Sequence, residues 1–242
     1  MKKKHIGVIG YGKWAKIMVP ILAKYFNINF IINSKINYKI INLQKIDWVF
    51  VLTNNSSHYD IVKYLLNKKK NVFCEKPLTP SLTKTLSLFR LARKRNSKLY
   101  VNDVEFFKNK KVTISKSNKV MRFKKSQKSS DSLLFRLAYH DFYLLKDYIE
   151  IKKINDINFF ENKNTLKFSF NEKKNTKFSF LYRTNSLKKV HKINFNNMLN
   201  FKKKPLTTML EKMNRNLLDY KGNMQRSVFA SNLISILNKK YR

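Results

Sequence analysis

Apolar and polar residues follow two alternating patterns over the first hundred positions of the chain. Short apolar runs, typical of buried strands, fall at five places: His5 to Ile9, Ile28 to Ile32, Trp48 to Leu52, Asn71 to Cys74 and Lys98 to Val101. Between these runs, apolar residues recur at the i, i+3, i+4, i+7 spacing of one helix face. Regular alternation of strand and helix predicts right-handed crossovers and a parallel sheet. Residues 1–102 are therefore predicted to form a doubly wound α/β domain.

Three helices are predicted within this domain. The first has an expected buried face formed by Trp14, Ile17, Met18, Ile21, Leu22 and Tyr25, with Pro20 inside the pattern. The second contains His58, Ile61, Val62, Leu65 and Leu66 on one face, with Ser57 as its expected N-cap. The third runs from Ser81 to Arg95. Each helix is expected to cover the sheet with its apolar face.

The pattern changes after Asn102. Lys108 to Asp131 is rich in lysine and serine and shows little periodicity, and Leu133 to Ile149 is then predicted to be helical. Alternating runs predict antiparallel strands joined by asparagine- and lysine-rich turns, followed by two closing helices: Ile154 to Phe160, Leu166 to Phe170, Phe178 to Tyr182 and Val190 to Phe195, then Leu206 to Tyr220 and Asn223 to Lys239. Residues 103–242 are predicted to form a smaller α+β domain with an open antiparallel sheet. His191 is expected to face solvent.

A glycine-rich turn follows the first strand, with the sequence Gly10-Tyr11-Gly12-Lys13-Trp14-Ala15. Strand, glycine turn and helix are the context that a dinucleotide-binding fingerprint requires. Gly10 permits the tight turn, Gly12 lets the backbone approach a pyrophosphate, and Ala15 still permits close helix packing. The helix N-terminus supplies N–H groups and a partial positive charge. The turn predicts a bound dinucleotide.

Polar residues at the ends of the next strands are further candidates. Ligands collect at the carboxyl ends of parallel strands, where Thr53, Asn54 and His58 follow the third strand, and Glu75 and Lys76 follow the fourth. His58 has a second interpretation as a capping or packing group. Glu75 with Lys76 has a second interpretation as a surface ion pair.

The choice between NAD and NADP depends on the end of the second strand. An acidic residue there binds the ribose 2′-hydroxyl of NAD, but the chain has Ser34 and Lys35 instead. These two residues could hydrogen-bond and neutralise the 2′-phosphate of NADP. The alternative is that Lys35 is one of the many lysines of this chain and has no role in cofactor choice. The cofactor is predicted to be NADP or NAD.

A net charge of +38 first indicates a polyanion partner. Lysines far outnumber arginines, however, and are scattered along the chain, so we expect no specific nucleic-acid partner. Cys74 is the single cysteine, which excludes an intramolecular disulfide and a cysteine-based metal cluster. No apolar run approaches the length of a membrane span, so no membrane partner and a cytoplasmic location are expected.

Three segments together resemble the Gfo/Idh/MocA oxidoreductases: the glycine turn, Thr53 to His58, and Val72 to Thr79 with its Glu-Lys-Pro. The resemblance covers the first hundred residues in order. It implies a Rossmann domain joined to an open antiparallel-sheet domain, with NAD or NADP acting on sugars and related polyols. Leu99 to Val104 and Leu137 to Asp141 resemble the members that oxidise sugar nucleotides for surface polysaccharides.

The resemblance implies hydride transfer between the nicotinamide and a carbinol or ketone of a sugar or sugar nucleotide. Its catalytic residues would be Lys76 and His140, with Asp141 adjacent. A homo-oligomer is a further expectation. The predicted cofactor-binding residues are Gly10, Gly12, Lys13, Trp14, Ser34, Lys35, Thr53, Asn54, His58 and Glu75; no metal ligand is predicted.

The chain departs from the family pattern in three ways. Arg136 stands where members carry an aspartate four residues before the histidine, Asn54 replaces a common proline, and the second domain is shorter than usual. Arg136 and the shortened second domain favour an alternative function, that of a non-catalytic dinucleotide-binding or partner protein.

Overall fold

The computed structural model describes residues 3–33, 35–108, 112–125, 132–172, 176–199 and 204–239. The chain divides into two compact units. The first unit comprises residues 1–104 and 206–228, and the second comprises residues 105–205 and 229–242. Within the described ranges, no helix is long and apolar enough to cross a membrane.

The first unit is built on a five-stranded, wholly parallel sheet in the order β2-β1-β3-β4-β5. Its strands are β1 (His5–Ile9), β2 (Asn27–Ile32), β3 (Trp48–Val51), β4 (Asn71–Cys74) and β5 (Leu99–Val101). The intervening helices are α1 (Lys13–Tyr25), α2 (Asn55–Asn67) and α3 (Leu82–Lys94). Strands β3 and β4 are central and apolar because both of their faces are covered. The predicted doubly wound parallel sheet is confirmed.

Two local predictions for this unit were wrong. Helix α1 buries Ala15, Met18 and Leu22, whereas Trp14 and Ile17 are 38% and 57% exposed. The buried face therefore passes through Ala15 rather than through Trp14 and Ile17. Helix α2 begins at Asn55 with Asn54 as its N-cap, three residues before the expected Ser57 cap.

The second unit contains a six-stranded sheet in the order β11-β10-β6-β9-β8-β7. Its strands are β6 (Ser117–Phe123), β7 (Asn155–Glu161), β8 (Thr165–Glu172), β9 (Thr176–Arg183), β10 (Val190–Ile193) and β11 (Asn196–Asn197). The pairs are antiparallel except for β6 with β9, which is parallel. The second domain is therefore α+β with a mostly antiparallel sheet.

One face of this sheet carries an aromatic core. The rings of Phe168 and Phe180 stack at 4.3 Å, and Phe142 packs edge-on against both. Phe142 lies in α4 (Tyr139–Leu145), which continues a π-helical segment, Leu134–Ala138. The predicted helix from Leu133 to Ile149 is thus shorter than expected and begins with i→i+5 hydrogen bonding.

Two predictions for the second unit were also wrong. Strand β6 lies within Lys108 to Asp131, the stretch that showed little periodicity. Its inward positions include the polar Asn118 and Arg122 beside Val120, so its sequence lacks the regular apolar alternation of a strand. His191 was expected to face solvent but is only 2% exposed. It lies on the inner face of β10, where polar side chains contact its imidazole. One of the asparagine- and lysine-rich turns, expected over Asn171 to Asn175, lies partly outside the described residues.

Two helices close the chain, α5 (Pro205–Asn214) and α6 (Tyr220–Lys239). The part of α6 that belongs to the first unit covers the free edge of β5. The side-chain amide of Asn223 accepts from the Val101 N–H at 2.9 Å and donates to the Val101 carbonyl at 2.7 Å. Beside it, Arg226 donates twice to the fully buried Asp103, at 3.0 and 2.7 Å. Because both backbone groups of Val101 are satisfied, the sheet edge is closed by a side chain.

Candidate functional site

The turn between β1 and α1 lies at the point where the strand order reverses. Gly10 has a φ of +100°, and a Cβ placed there would lie 2.7 Å from the carbonyl carbon and oxygen of Leu52. Its N–H donates to Ile32 at 2.8 Å, so the turn is held between the ends of β2 and β3. Only glycine satisfies both the backbone conformation and the space at this position.

Gly12 has the opposite surroundings. A Cβ built on Gly12 would meet nothing within 4 Å, so the space in front of the turn is open. Gly12 is also the N-cap of α1, and no side chain caps that helix end. The first N–H groups of α1 therefore lie beside the open space at Gly12, which suits an anion. The adjacent Lys13 is exposed. The turn therefore leaves room for a pyrophosphate, the group that the fingerprint predicts.

The indole of Trp14 is fixed by a carboxylate. Its Nε1–H donates to Glu75 Oε1 at 2.5 Å, and the amide of Asn102 donates to the same oxygen at 2.5 Å. The other oxygen, Oε2, accepts from the Lys76 N–H at 3.3 Å. Glu75 thus joins the ends of β4 and β5 to the start of α1.

Asn102 is a site residue that the sequence analysis missed. Its side chain is 2% exposed, and its Oδ1 also accepts from the Val104 N–H at 3.0 Å. Its position directly after β5, at the same sheet edge as the other candidates, was the signal that was available.

His58 is buried at the start of α2. Its Nδ1 lies 2.8 Å from the Pro77 carbonyl oxygen, and its Nε2 lies 3.1 Å from that of Thr53. Burial lowers the pKa of His58, an effect that the two carbonyls oppose. Both ring nitrogens face protein atoms, so the geometry favours the packing interpretation. The side chain of Thr53 accepts from Ser57 Oγ at 2.8 Å, whereas Asn54 is exposed.

The remaining candidates of the first unit occupy separate turns. Lys76 is half-buried directly after β4, and its peptide bond to Pro77 is cis. Lys35 is exposed after β2, where its N–H donates to Asn33 Oδ1 at 2.9 Å. Ser34 lies outside the described residues.

In the second unit, His140 is half-buried near the start of α4. Arg136 precedes it by four residues in the π-helical segment and is also half-buried. The next residue, Asp141, is fully buried and points to different partners. Its Oδ1 lies 3.0 Å from Arg122 Nη2 and 2.7 Å from His191 Nε2. Asp141 is therefore bound to the sheet.

Asp141 belongs to a buried cluster of charged side chains that the sequence analysis did not anticipate. Glu105 Oε2 lies 2.6 Å from Lys108 Nζ and 3.1 Å from Arg122 Nη2. Burial alone would raise the pKa of Glu105, but Arg122 and Lys108 hold it down at about 2. Burial lowers the pKa of His191, although Asp141 opposes this effect. The cluster therefore contains two carboxylates bound by two cations around a histidine that favours its neutral form.

The parallel sheet and the glycine turn define the class of the first unit, a Rossmann-type α/β domain. Residues 15–103 match the model of the Gfo/Idh/MocA family, described as "Oxidoreductase family, NAD-binding Rossmann fold". An uncharacterized oxidoreductase of Schizosaccharomyces pombe is 36% identical over 72 residues, which is 28% of this chain and 20% of that protein. The match thus spans about a fifth of the curated relative.

Solved structures share the fold over nearly the whole chain. A UDP-N-acetylglucosamine 3-dehydrogenase from Acidithiobacillus ferrooxidans has a TM-score of 0.75 at 13% identity, covering 96% of each chain. A dehydrogenase from Clostridium difficile has a TM-score of 0.75 at 18% identity, covering 99% of this chain and 100% of its own. Residues 15–103 are thus similar to the Rossmann domain of the Gfo/Idh/MocA oxidoreductases, and the predicted cofactor, NAD or NADP, agrees with the description of that family.

Proposed function

We propose that this protein is an NAD(P)-dependent oxidoreductase that transfers a hydride between the nicotinamide and a carbinol or ketone carbon of a sugar or sugar nucleotide. The observation that carries the proposal is the glycine turn. Gly10 is required by its positive φ, and the space at Gly12 is open above an uncapped helix N-terminus. Lys76 follows β4 in the same parallel sheet.

The first unit would hold the cofactor. Gly10, Gly12 and the first N–H groups of α1 would bind the pyrophosphate, while Trp14, Thr53 and Asn54 would line the same sheet edge. When bound, the nicotinamide supplies the hydride acceptor or donor. His58 and Glu75 would act by holding the surrounding loops in place, because their polar atoms bind protein groups.

Lys76 and His140 would carry the proton chemistry. A carbinol that loses hydride must also lose its hydroxyl proton, which requires a base within hydrogen-bond reach. A cation beside the oxygen stabilises the alkoxide that develops. We assign the cation to Lys76 and the base to His140, because imidazole is the side chain most often used for general acid–base catalysis. In the reverse direction, His140 would return the proton.

Replacement of Lys76 tests the assignment. In Lys76→Ala, turnover of NADPH or NADP⁺ with sugar nucleotides should fall by roughly 10²-fold or more. The substitution removes the cation that would stabilise the alkoxide as it develops. Cofactor binding should persist, since the glycine turn binds the pyrophosphate independently. Lys68→Ala, an exposed lysine after α2, is the matched control. Unchanged turnover in Lys76→Ala would contradict the assignment.

Arg136 supports a second candidate function, a non-catalytic dinucleotide-binding protein. A cation lies about one turn before His140, at the position where the resemblance implies an acid. The main proposal therefore expects slow turnover that Arg136→Asp improves. Tight cofactor binding with no turnover in either form would favour the second candidate.

Two finer points belong to the same proposal. Lys35 follows β2, where no acidic residue is present, so NADP should bind at least as well as NAD. Lys35→Ala should weaken NADP selectively; equal losses for both cofactors would contradict this. A cytoplasmic role in polysaccharide biosynthesis, as a homo-oligomer without a specific nucleic-acid partner, would be consistent with the resemblance.

A further inference from the structure

Helix α6 binds the chain on both sides of Asn102, within the first unit. Before this residue, the side chain of Asn223 accepts from the Val101 N–H at 2.9 Å and donates to the Val101 carbonyl at 2.7 Å. After it, Arg226 donates to Asp103 Oδ2 from Nε at 3.0 Å and from Nη2 at 2.7 Å. Asn223 and Arg226 are three positions apart, so they lie on the same side of α6. One turn of this helix therefore holds the backbone that carries Asn102.

These contacts are closed to water. Asp103 and Asn223 have no exposed surface, and Arg226 is buried as well. Asp103 Oδ1 accepts from the Tyr100 hydroxyl at 2.6 Å, so both oxygens of the carboxylate are bound. When a buried hydrogen bond of this kind is lost, no water replaces it and the remaining partner is left unsatisfied. The position of the Asn102 backbone is therefore sensitive to the side chains of α6.

Asn102 connects this backbone segment to the glycine turn. Its amide donates to Glu75 Oε1 at 2.5 Å, and the same oxygen accepts from Trp14 Nε1 at 2.5 Å. Its Oδ1 accepts from the Val104 N–H at 3.0 Å, so both ends of the amide group are bound. Trp14 lies in the first turn of α1, directly beyond the N-cap Gly12. A continuous set of hydrogen bonds and one short backbone segment thus link α6 to the proposed pyrophosphate position.

We propose that Asn223 and Arg226 are positioning residues of the dinucleotide site, on which they act through Asn102. The inference rests on the proposed function, because it takes NAD or NADP as the ligand. Asn223 lies 122 residues beyond Val101 in the chain, so the affinity for the cofactor depends on a helix far from the Rossmann segment. An indole that is already held in place costs the ligand less to order on binding than a mobile one does.

The two tryptophans report the two ends of this linkage separately. The ring of Trp48 stacks on that of Tyr220, the first residue of α6, with centroids 6.2 Å apart, whereas Trp14 lies beside the glycine turn. With Trp48 replaced by phenylalanine, emission and acrylamide quenching report the environment of the Trp14 indole. With Trp14 replaced by phenylalanine, the same measurements report whether the start of α6 remains packed on the sheet.

Asn223→Ala releases both backbone groups of Val101 and should weaken NADPH binding by about tenfold, the equivalent of one strong hydrogen bond. In the protein that retains Trp14 alone, acrylamide quenching should increase. In the protein that retains Trp48 alone, the emission should stay unchanged, because α6 remains in place. Loss of both signals would mean that the helix has detached, and Arg226→Lys then provides the milder test.

Arg226→Lys keeps the positive charge beside Asp103 but removes the planar pair of donors. It should weaken NADPH binding by a few-fold and increase the quenching of Trp14 while α6 stays packed. Met224→Ala changes an exposed residue in the same turn of α6 and is the matched control, which should alter neither quantity.

A double substitution separates positioning from a merely structural role. In Glu75→Ala the linkage to the indole is already broken, so adding Asn223→Ala should cause little further loss of NADPH affinity. Losses that add in the double variant would overturn the inference. A lower melting temperature of Asn223→Ala with unchanged NADPH affinity and unchanged Trp14 quenching would also overturn it.

These outcomes are distinct from those that test the proposed function, because none of the measurements requires turnover. NADPH binding that depends on Asn223 and Arg226, in a protein without turnover, supports the inference and contradicts catalysis. Turnover with sugar nucleotides, together with an NADPH affinity that both variants leave unchanged, overturns the inference and leaves catalysis intact.

Discussion

At the scale of single residues, the carboxylate of Glu75 links three segments through short hydrogen bonds. Trp14 Nε1 and Asn102 Nδ2 both donate to Oε1 at 2.5 Å, and the Lys76 N–H reaches Oε2. Truncation would leave the buried Asn102 amide without this acceptor, and the indole would lose its anchor. Glu75 is thus a positioning residue whose effect passes through Trp14 and through the backbone of Lys76.

Glu75→Ala should weaken NADPH binding by roughly tenfold, the equivalent of one charged hydrogen bond. Glu75→Gln retains an acceptor for both donors and should bind nearly as well as the natural protein. Trp14 is a direct reporter once Trp48, the second tryptophan, is replaced by phenylalanine. Glu75→Ala should then shift its emission and increase acrylamide quenching. Equal affinities for all three forms would show that the anchor has no role in binding.

The buried cluster of the second unit makes that unit sensitive to acid. Arg122 and Lys108 hold the pKa of Glu105 at about 2, below its ordinary 4.5, so its contribution is complete above pH 4.5 and is lost as the pH falls toward 2. Burial lowers the pKa of His191 below 6.5, so the unfolded chain binds this proton first. Both effects reduce the free energy of unfolding as the pH falls below about 6.5.

Both tryptophans, Trp14 and Trp48, lie in the first unit, which makes the prediction measurable. Far-ultraviolet circular dichroism reports both units, whereas tryptophan emission reports the first. On acid titration, the circular dichroism should therefore change before the tryptophan emission changes. In Glu105→Gln the loss between pH 4.5 and 2 should be reduced, because the titrating carboxylate is absent. Simultaneous transitions in both signals, unchanged by this substitution, would contradict separate acid sensitivity.

At the scale of elements, the glycine turn separates stability from binding at neighbouring positions. A methyl group at Gly10 would meet the Leu52 backbone at 2.7 Å and require a positive φ, whereas one at Gly12 would enter open space. Gly10→Ala should therefore lower the unfolding free energy by about 1–3 kcal/mol or more. Gly12→Ala should keep the melting temperature and lose NADPH affinity. A destabilised Gly12→Ala protein with normal affinity would contradict the proposed pyrophosphate position.

The sequence predicted the elements whose local pattern and tertiary role agree. Strands β1 to β5 were foreseen because buried parallel strands are apolar throughout, and the turn was foreseen because its glycines are required locally. Strand β6 was missed because Asn118 and Arg122 occupy inward positions. The buried charge cluster was missed because its members are polar residues that lie far apart in sequence. Their burial becomes evident only when the fold brings them together. Asn102 was missed although it directly follows β5, at the same sheet edge as the other candidates.

At the scale of the whole molecule, the rare arginines carry the buried ion pairs. The chain has 52 basic residues, mostly lysines, yet Arg122 and Arg226 bind the fully buried carboxylates Asp141 and Asp103. The guanidinium is more weakly hydrated than an ammonium and offers several donors in a fixed plane. We infer that the two fully buried carboxylates favour the geometry of arginine, whereas Glu105, which is less deeply buried, also binds Lys108.

The net charge of +38 predicts a strong dependence of stability on salt. Like charges repel more in the compact state than in the expanded chain, and 0.1 M salt screens them beyond about 10 Å. Between low salt and ~0.5 M NaCl, the melting temperature should rise by several degrees, since roughly 1 kcal/mol corresponds to ~2–4 °C at this size. A melting temperature that falls with NaCl would show that attractive surface pairs outweigh repulsion among the lysines.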